Sequence, residues 1–347
     1  MATDMAAVIG ETLMDVIHHP GEPASERPGG SPLNVAVGLG RLGHPSTLVT
    51  WLADDDYGRA IKKHLDQSGV ALAPGATQAL RTSTANIVMA EDGSLDYSFD
   101  LLWTVPPMPA AFTPLVVHVA SIGAIYEPGA DEVFSLVSGA RKHATITYDP
   151  NIRPDIMQSP ERTRPLVERL VEVSDLTKVS AEDLEWLYPG QNPELTASEW
   201  AAAGPIVVLT KGERGSATFR RANGAGRCLR VLPGYCSSFV DAVGAGDSFM
   251  AGLIHALWQL ELLGANHRTQ LAAIEDEALI DSLCMASTIA AITVSRLGAD
   301  PPWLCELGDH RAVAGLDPEG MPPIQFPEAV LPAEGSVVRQ LPEASGI

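Results

Sequence analysis

The stretch VDAVGAGDSF, residues 240–249, decides how the rest of the chain is read. Directly after its start, Phe249, Leu253, Ile254, Leu257 and Trp258 recur at helical spacing, so Gly244, Ala245, Gly246 and Asp247 stand at a helix N-terminus. Small residues there let backbone N–H groups crowd one point, and the helix dipole adds positive potential. That is an anion site. A carboxylate beside it is unfavourable unless it is used, and Asp247 suits the removal of a proton from a hydroxyl that attacks a phosphoryl group. A glycine turn with Asp247 as a simple helix cap fits the local residues equally well.

Two further stretches carry polar groups at element ends. Gly29-Gly30-Ser31-Pro32-Leu33-Asn34 places a glycine pair before a helix, with Asn34 able to donate and accept towards a hydroxyl-rich ligand. Taken alone, a flexible loop followed by a capped helix is the better reading of it. Tyr148-Asp149-Pro150-Asn151-Ile152-Arg153-Pro154 follows a buried strand, where open α/β sheets place ligands. There Arg153 can neutralise phosphate charge and Asn151 can hydrogen-bond it. By contrast, Gly38-Leu39-Gly40-Arg41-Leu42-Gly43 matches a dinucleotide fingerprint only in letters, because its glycines end a helix rather than open one. No P-loop and no zinc-like histidine spacing occurs.

Around these motifs the chain alternates strand and helix. Short apolar runs at 6–9, 46–52, 116–119, 145–148, 176–179 and 206–210 read as buried strands. Segments 33–42, 57–68, 131–141, 160–173, 247–260 and 276–297 read as helices, the first capped by Ser31 with Pro32 at its first position and stopped at Gly43. Residues 20–32 read as a loop. Residues 83–103 read as an antiparallel hairpin around Asp92-Gly93. Alternation of this kind predicts a mostly parallel sheet covered on both faces.

The composition bounds the function. Of 347 residues 46% are hydrophobic and 19% charged, which excludes wholesale disorder. Forty-three acidic residues against 23 basic ones give a net charge of −20, which repels phosphate backbones and argues against a nucleic-acid partner. Four cysteines without a C-x-x-C spacing argue against a disulfide framework or a zinc site. No uninterrupted apolar run approaches the roughly 20 residues of a membrane span, and the N-terminus lacks a basic signal region, so a cytoplasmic protein without a membrane partner is expected.

Together, Gly29 to Gly43, Asp149 to Arg153 and Asp241 to Asp247 resemble the ribokinase-like (PfkB) carbohydrate kinase family, most closely the pattern of its bacterial fructokinases, over about residues 6–305. The resemblance implies a three-layer α/β/α sandwich with a small antiparallel β lid. One kinase domain would span 1–310, with lid segments at about 11–30 and 83–105, and a proline-rich tail at 311–347 would wrap or stay partly disordered. It implies ATP-dependent phosphorylation of a primary hydroxyl on a small sugar, fructose first. A 2-keto-3-deoxygluconate kinase, ribokinase or nucleoside kinase is the alternative within the family, and a silent sugar- or nucleotide-binding protein the alternative outside catalysis. Asp247 would be the base, with the amides of Gly244, Ala245 and Gly246 and the charge of Arg153 meeting the migrating phosphoryl group. Asp15, Gly29, Gly30, Asn34, Asn151 and Trp103 would hold substrate. Thr210, Gly212, Gly215 and Lys178 would face the nucleotide. Asp183 and Glu182, in a Ser180-Ala181-Glu182-Asp183 version of the family's Asn-x-x-Glu, would serve magnesium, and Asp241 a monovalent cation, potassium. Lid edges would pair two chains as a homodimer.

Overall fold

Strands that are apolar on both faces call for a sheet covered on both sides. The computed structural model contains one, and it describes residues 3–18, 21–89, 95–109, 112–157, 159–222, 225–234, 236, 238–308 and 337–339. The elements begin with β1 (Thr3–Ile9), β2 (Leu13–His18), β3 (Ser25–Gly29), α1 (Ser31–Arg41), β4 (Ser46–Val49), α2 (Asp56–Gln67) and β5 (Val70–Leu72). Then come β6 (Ser83–Met89), β7 (Leu95–Asp100), β8 (Pro114–Ala120), α3 (Ala130–Ala140), β9 (Thr145–Asp149), α4 (Pro160–Val173), β10 (Leu176–Ser180) and α5 (Ala181–Leu187). The rest are α6 (Pro193–Ala202), β11 (Ile206–Thr210), β12 (Ser216–Ala222), β13 (Ala225–Val231), α7 (Ala245–Gln259), α8 (Arg268–Ala272), α9 (Asp276–Val294) and β14 (Val337–Arg339).

The large sheet runs in the order β14-β13-β12-β11-β10-β9-β8-β1-β4-β5. Its pairs are parallel from β5 to β11, and β11–β12 and β12–β13 are antiparallel. Side chains alternate between two cores. Ala6, Val8, Val116 and Val208 pack with α1, α2, α7 and α9, whereas Ala7, Ile9, Val117, Val119 and Val207 pack with α3 to α6. Three layers therefore follow from the period-two alternation within each strand.

A second sheet has the order β3-β2-β6-β7. The lid was expected to be antiparallel, and its outer pairs are, but β2 and β6 at its centre run parallel. They come from distant parts of the chain and enter the sheet from the main body rather than through a hairpin. The turn expected around Asp92-Gly93 lies outside the described residues, as does most of the tail; from it only β14 is described, parallel to β13.

Other expectations are corrected. The 20–32 loop contains β3, an edge strand that tolerates Pro28. The 46–52 strand ends at Val49. Ser31 is not the cap of α1. Gly30 is, at φ 108, a conformation that suits glycine, and a Cβ there would meet the carbonyl of Glu11 at 2.8 Å. The helix α9 is long and apolar enough to cross a bilayer by length and composition, yet here it packs along α7, where a Cβ on Gly252 would lie 2.9 Å from Cα of Ala286. The glycines of the false fingerprint have a packing reason too: a Cβ on Gly38 would lie 2.7 Å from the Cβ of Ala251 on α7. That close approach brings the N-termini of α1 and α7 together.

Candidate active site

Where those two N-termini meet, Asp247 is buried and both its oxygens are engaged. The Ser31 hydroxyl donates to Oδ1 at 2.6 Å, and the Asn34 amide donates to Oδ2 at 2.8 Å. Asp247 is thus not the helix cap. Gly244 holds that position at φ 75, in the left-handed region that glycine enters without strain. One O–H and one N–H donor hold the carboxylate in one orientation, while each oxygen keeps a lone pair for an incoming hydroxyl.

The parallel strands point their carboxyl ends at this spot. Asp149 ends β9 and is fully buried; its Oδ2 accepts a hydrogen bond from Nζ of Lys178 on β10 at 2.7 Å. The ammonium also lies against the glycine turn, since a Cβ on Gly246 would fall 2.8 Å from Nζ. Burial alone would lower the pKa of Lys178, but Asp149, Asp183 and Asp247 outweigh it and hold the ammonium above its ordinary range. The result is a fixed positive charge beside the amides of α7. Gly246→Ala should displace it, lowering kcat/KM by about 10²-fold, as steady-state kinetics would report.

One buried acid beside Gly30 was missed by sequence reasoning. Glu11, directly after β1, is buried, and its Oε2 accepts the N–H of Gly123 at 2.6 Å. Burial pushes its pKa from the ordinary 4.5 to about 7, opposed by the hydrogen bonds from Gly123 and Ser121 and by the charge of Arg153. Ser121 and Asn151, at the ends of β8 and β9, have φ 61 and 41, strained values for residues with side chains. The only sequence signal was an acid placed straight after an apolar strand and a glycine. Because the folded state keeps its proton longer than the unfolded chain, stability falls as pH rises from 4.5 through about 7. Glu11→Gln removes that loss, and denaturant titrations should show the variant gaining on the wild type across this window by on the order of 3 kcal/mol.

Comparison with known proteins decides what this geometry belongs to. Residues 3–304 match the profile described as pfkB family carbohydrate kinase. The chain belongs to the pfkB family of carbohydrate kinases. Among curated relatives, a fructokinase of Rhizobium leguminosarum bv. trifolii is 29% identical over 287 residues, 79% of this chain and 85% of that protein. One from Klebsiella pneumoniae is 28% identical over 304 residues, 84% and 94% of the two chains. Among solved structures, a fructokinase with bound ATP from Xylella fastidiosa superposes with a TM-score of 0.74 at 21% identity, covering 89% of this chain and 99% of that one. Aminoimidazole riboside kinase from Salmonella enterica gives 0.68 at 20% identity, covering 87% and 98%. At such identities the structural likeness shows the fold.

The structure places other expected residues of this carbohydrate kinase as follows. Asp15 on β2 lies against Gly29 on β3, where a Cβ would overlap its carboxylate. Burial raises Asp15 to about 6 against the opposing charges of Arg153 and Arg27. Arg153 is exposed and folds back on its own loop, with Nη1 donating to Oδ1 of Asn151 at 2.6 Å. Its charge acts on Asp15 and Glu11. Thr210, at the end of β11, pairs in register with Ser180, and Gly212 and Gly215 flank the turn that follows.

Three more expected residues take part in packing or loop contacts. Trp103 is buried in the core with α3 to α6, packed so closely on Gly129 that a Cβ there would meet its Nε1 at 2.7 Å. Its ring therefore packs in the core rather than lying open to solvent. Asp183 directs Oδ1 to the N–H of Ile152 at 2.8 Å and Oδ2 to the N–H of Ser180 at 3.1 Å, tying the loop after β9 to α5, while Glu182 is exposed. Asp241 accepts from Val243 N–H at 3.0 Å and Gly298 N–H at 2.9 Å, joining the loops before α7 and after α9.

Proposed function

We propose that this carbohydrate kinase is a fructokinase that moves the γ-phosphoryl group of ATP to the 6-hydroxyl of fructose. The observation that carries the reading is Asp247, held by Ser31 and Asn34 at the start of α7 with the Lys178 ammonium alongside. Asp247 accepts the proton as the sugar oxygen bonds to phosphorus and the bond to the ADP oxygen breaks. The amides of Gly244, Ala245 and Gly246, with Lys178, stabilise the charge on the transferring group. Asp15, Gly29, Gly30, Asn34 and Asn151 hold the sugar, Arg153 adds charge on that side, and Thr210, Gly212 and Gly215 border the nucleotide. The four-stranded sheet acts as a lid that excludes water, so that water does not replace the sugar as acceptor.

Magnesium supplies charge neutralisation on the phosphates when bound. Among the described residues no three His, Cys, Asp or Glu side chains converge. Asp183 and Glu182 therefore suit outer neighbours of an ion held mainly by phosphate and water oxygens. Asp241 bridges two loops that a monovalent cation, potassium, would brace further. The edges β3 and β7 make the lid sheet the proposed surface for a homodimer, and the four free thiols support the cytoplasmic reading.

The relatives' names favour fructose. The burial of Trp103 takes away one aromatic surface that a nucleoside base would want, which weighs against the riboside reading. A coupled ADP-release screen over fructose, tagatose, ribose, 2-keto-3-deoxygluconate and nucleosides should give the highest kcat/KM with fructose; a clear preference for another acceptor reassigns the substrate.

A further inference from the structure

At the opposite end of the parallel strands, about 16 Å along them from the catalytic end, a cleft of about 220 Å³ opens at the starts of β10 and β11. Arg141, Arg220, Arg221 and Arg268 line it, with only Glu172 and Asp175 for balance. Four guanidiniums against two carboxylates leave two surplus positive charges, in a chain whose net charge is −20.

The internal pairing does not absorb that surplus. Asp175 is fully used: Oδ1 takes Nε of Arg268 at 2.6 Å and faces Arg141 at 3.6 Å, and Oδ2 takes the N–H of Ile146 at 2.9 Å. Arg268 is fixed further by the carbonyls of Arg141 and Ala144 at 2.9 and 3.0 Å. Arg220 is 5% exposed; it pairs with Asp276, which Arg227 already neutralises, and its Nε has no partner. Arg221 is exposed, and its side chain makes no ion pair or hydrogen bond with the described residues. Pre-oriented guanidiniums with N–H groups to spare match the oxygens of a phosphate dianion in charge and in fork geometry.

We propose that this cleft is a second anion site, remote from catalysis, that takes the phosphate group of a small molecule, either orthophosphate or a phosphate ester. It stands whether or not the chain acts on fructose. Hydrogen–deuterium exchange on the full chain, titrated with inorganic phosphate at constant ionic strength, tests it and locates any binding. Phosphate should slow exchange in residues 203–206 and 268–272. The concentration needed should rise at least about tenfold in Arg221→Glu and less in Arg221→Ala, with kinase activity without added phosphate unchanged in both. Protection confined to 244–247, no protection, or equal protection in Arg221→Glu overturns the site. Repeating the titration with a hexose 6-phosphate distinguishes the sources: protection at lower concentration identifies the ester, and at equal or higher concentration free phosphate.

Discussion

Asp247→Asn is expected to lower kcat by about 10²–10⁴-fold while sugar binding and folding largely survive. The amide is nearly isosteric but has no basic oxygen pair with which to take a proton. Its oxygen can still accept from the Ser31 hydroxyl, which donates to Oδ1 in the wild type. On the other side its NH2 meets the NH2 of Asn34, which now donates to Oδ2. Rotation of the Asn34 amide restores that bond, at a cost of about 1 kcal/mol. Kinetics with fructose, alongside calorimetric binding of the sugar, separate the two effects. Near-normal turnover would remove Asp247 from the role of base, and with it the mechanism.

Lys178→Met acts on stability and chemistry together. It leaves Asp149 fully buried with no cation, and Oδ1 of Asp149 already lacks a partner. Stranding one member of a buried pair costs about 3–5 kcal/mol, which chemical denaturation would read. It also removes the positive charge beside Gly246, so turnover should fall as well. Replacing both members, Lys178→Met with Asp149→Asn, lifts most of the folding penalty, because no uncompensated charge stays buried. Activity should not return. Recovery of both in the double variant would mean that Lys178 serves folding alone.

The legible parts of the chain were those where a local pattern has one physical solution. The parallel strands appeared as apolar runs because both faces are buried: β11 was placed at Ile206–Thr210 and α4 at Pro160–Val173, as the structure has them. The glycine turn before Asp247 was legible because few other local sequences build an anion site at a helix start. What escaped depends on distant partners. Ser31 reads as a cap, and only the packing of α1 on α7 makes it a donor to a residue 216 positions away. Glu11 has no motif around it, and its role comes from a contact with Gly123 across 112 residues. Trp103 is 4% exposed, and that burial depends on α3 to α6, which no local pattern around it announces. The helix α6 went unread because its apolar residues are spread around it rather than gathered in a stripe.

The central claim is that Asp247 directs transfer from ATP to a sugar hydroxyl rather than to water. Phosphorus NMR of the protein with ATP, magnesium and fructose follows donor and products at once. One phosphate ester at carbon 6 should appear for each ADP formed, and neither should accumulate at a comparable rate with Asp247→Asn. ADP with free phosphate and no ester, or equal ester formation by the variant, would contradict it.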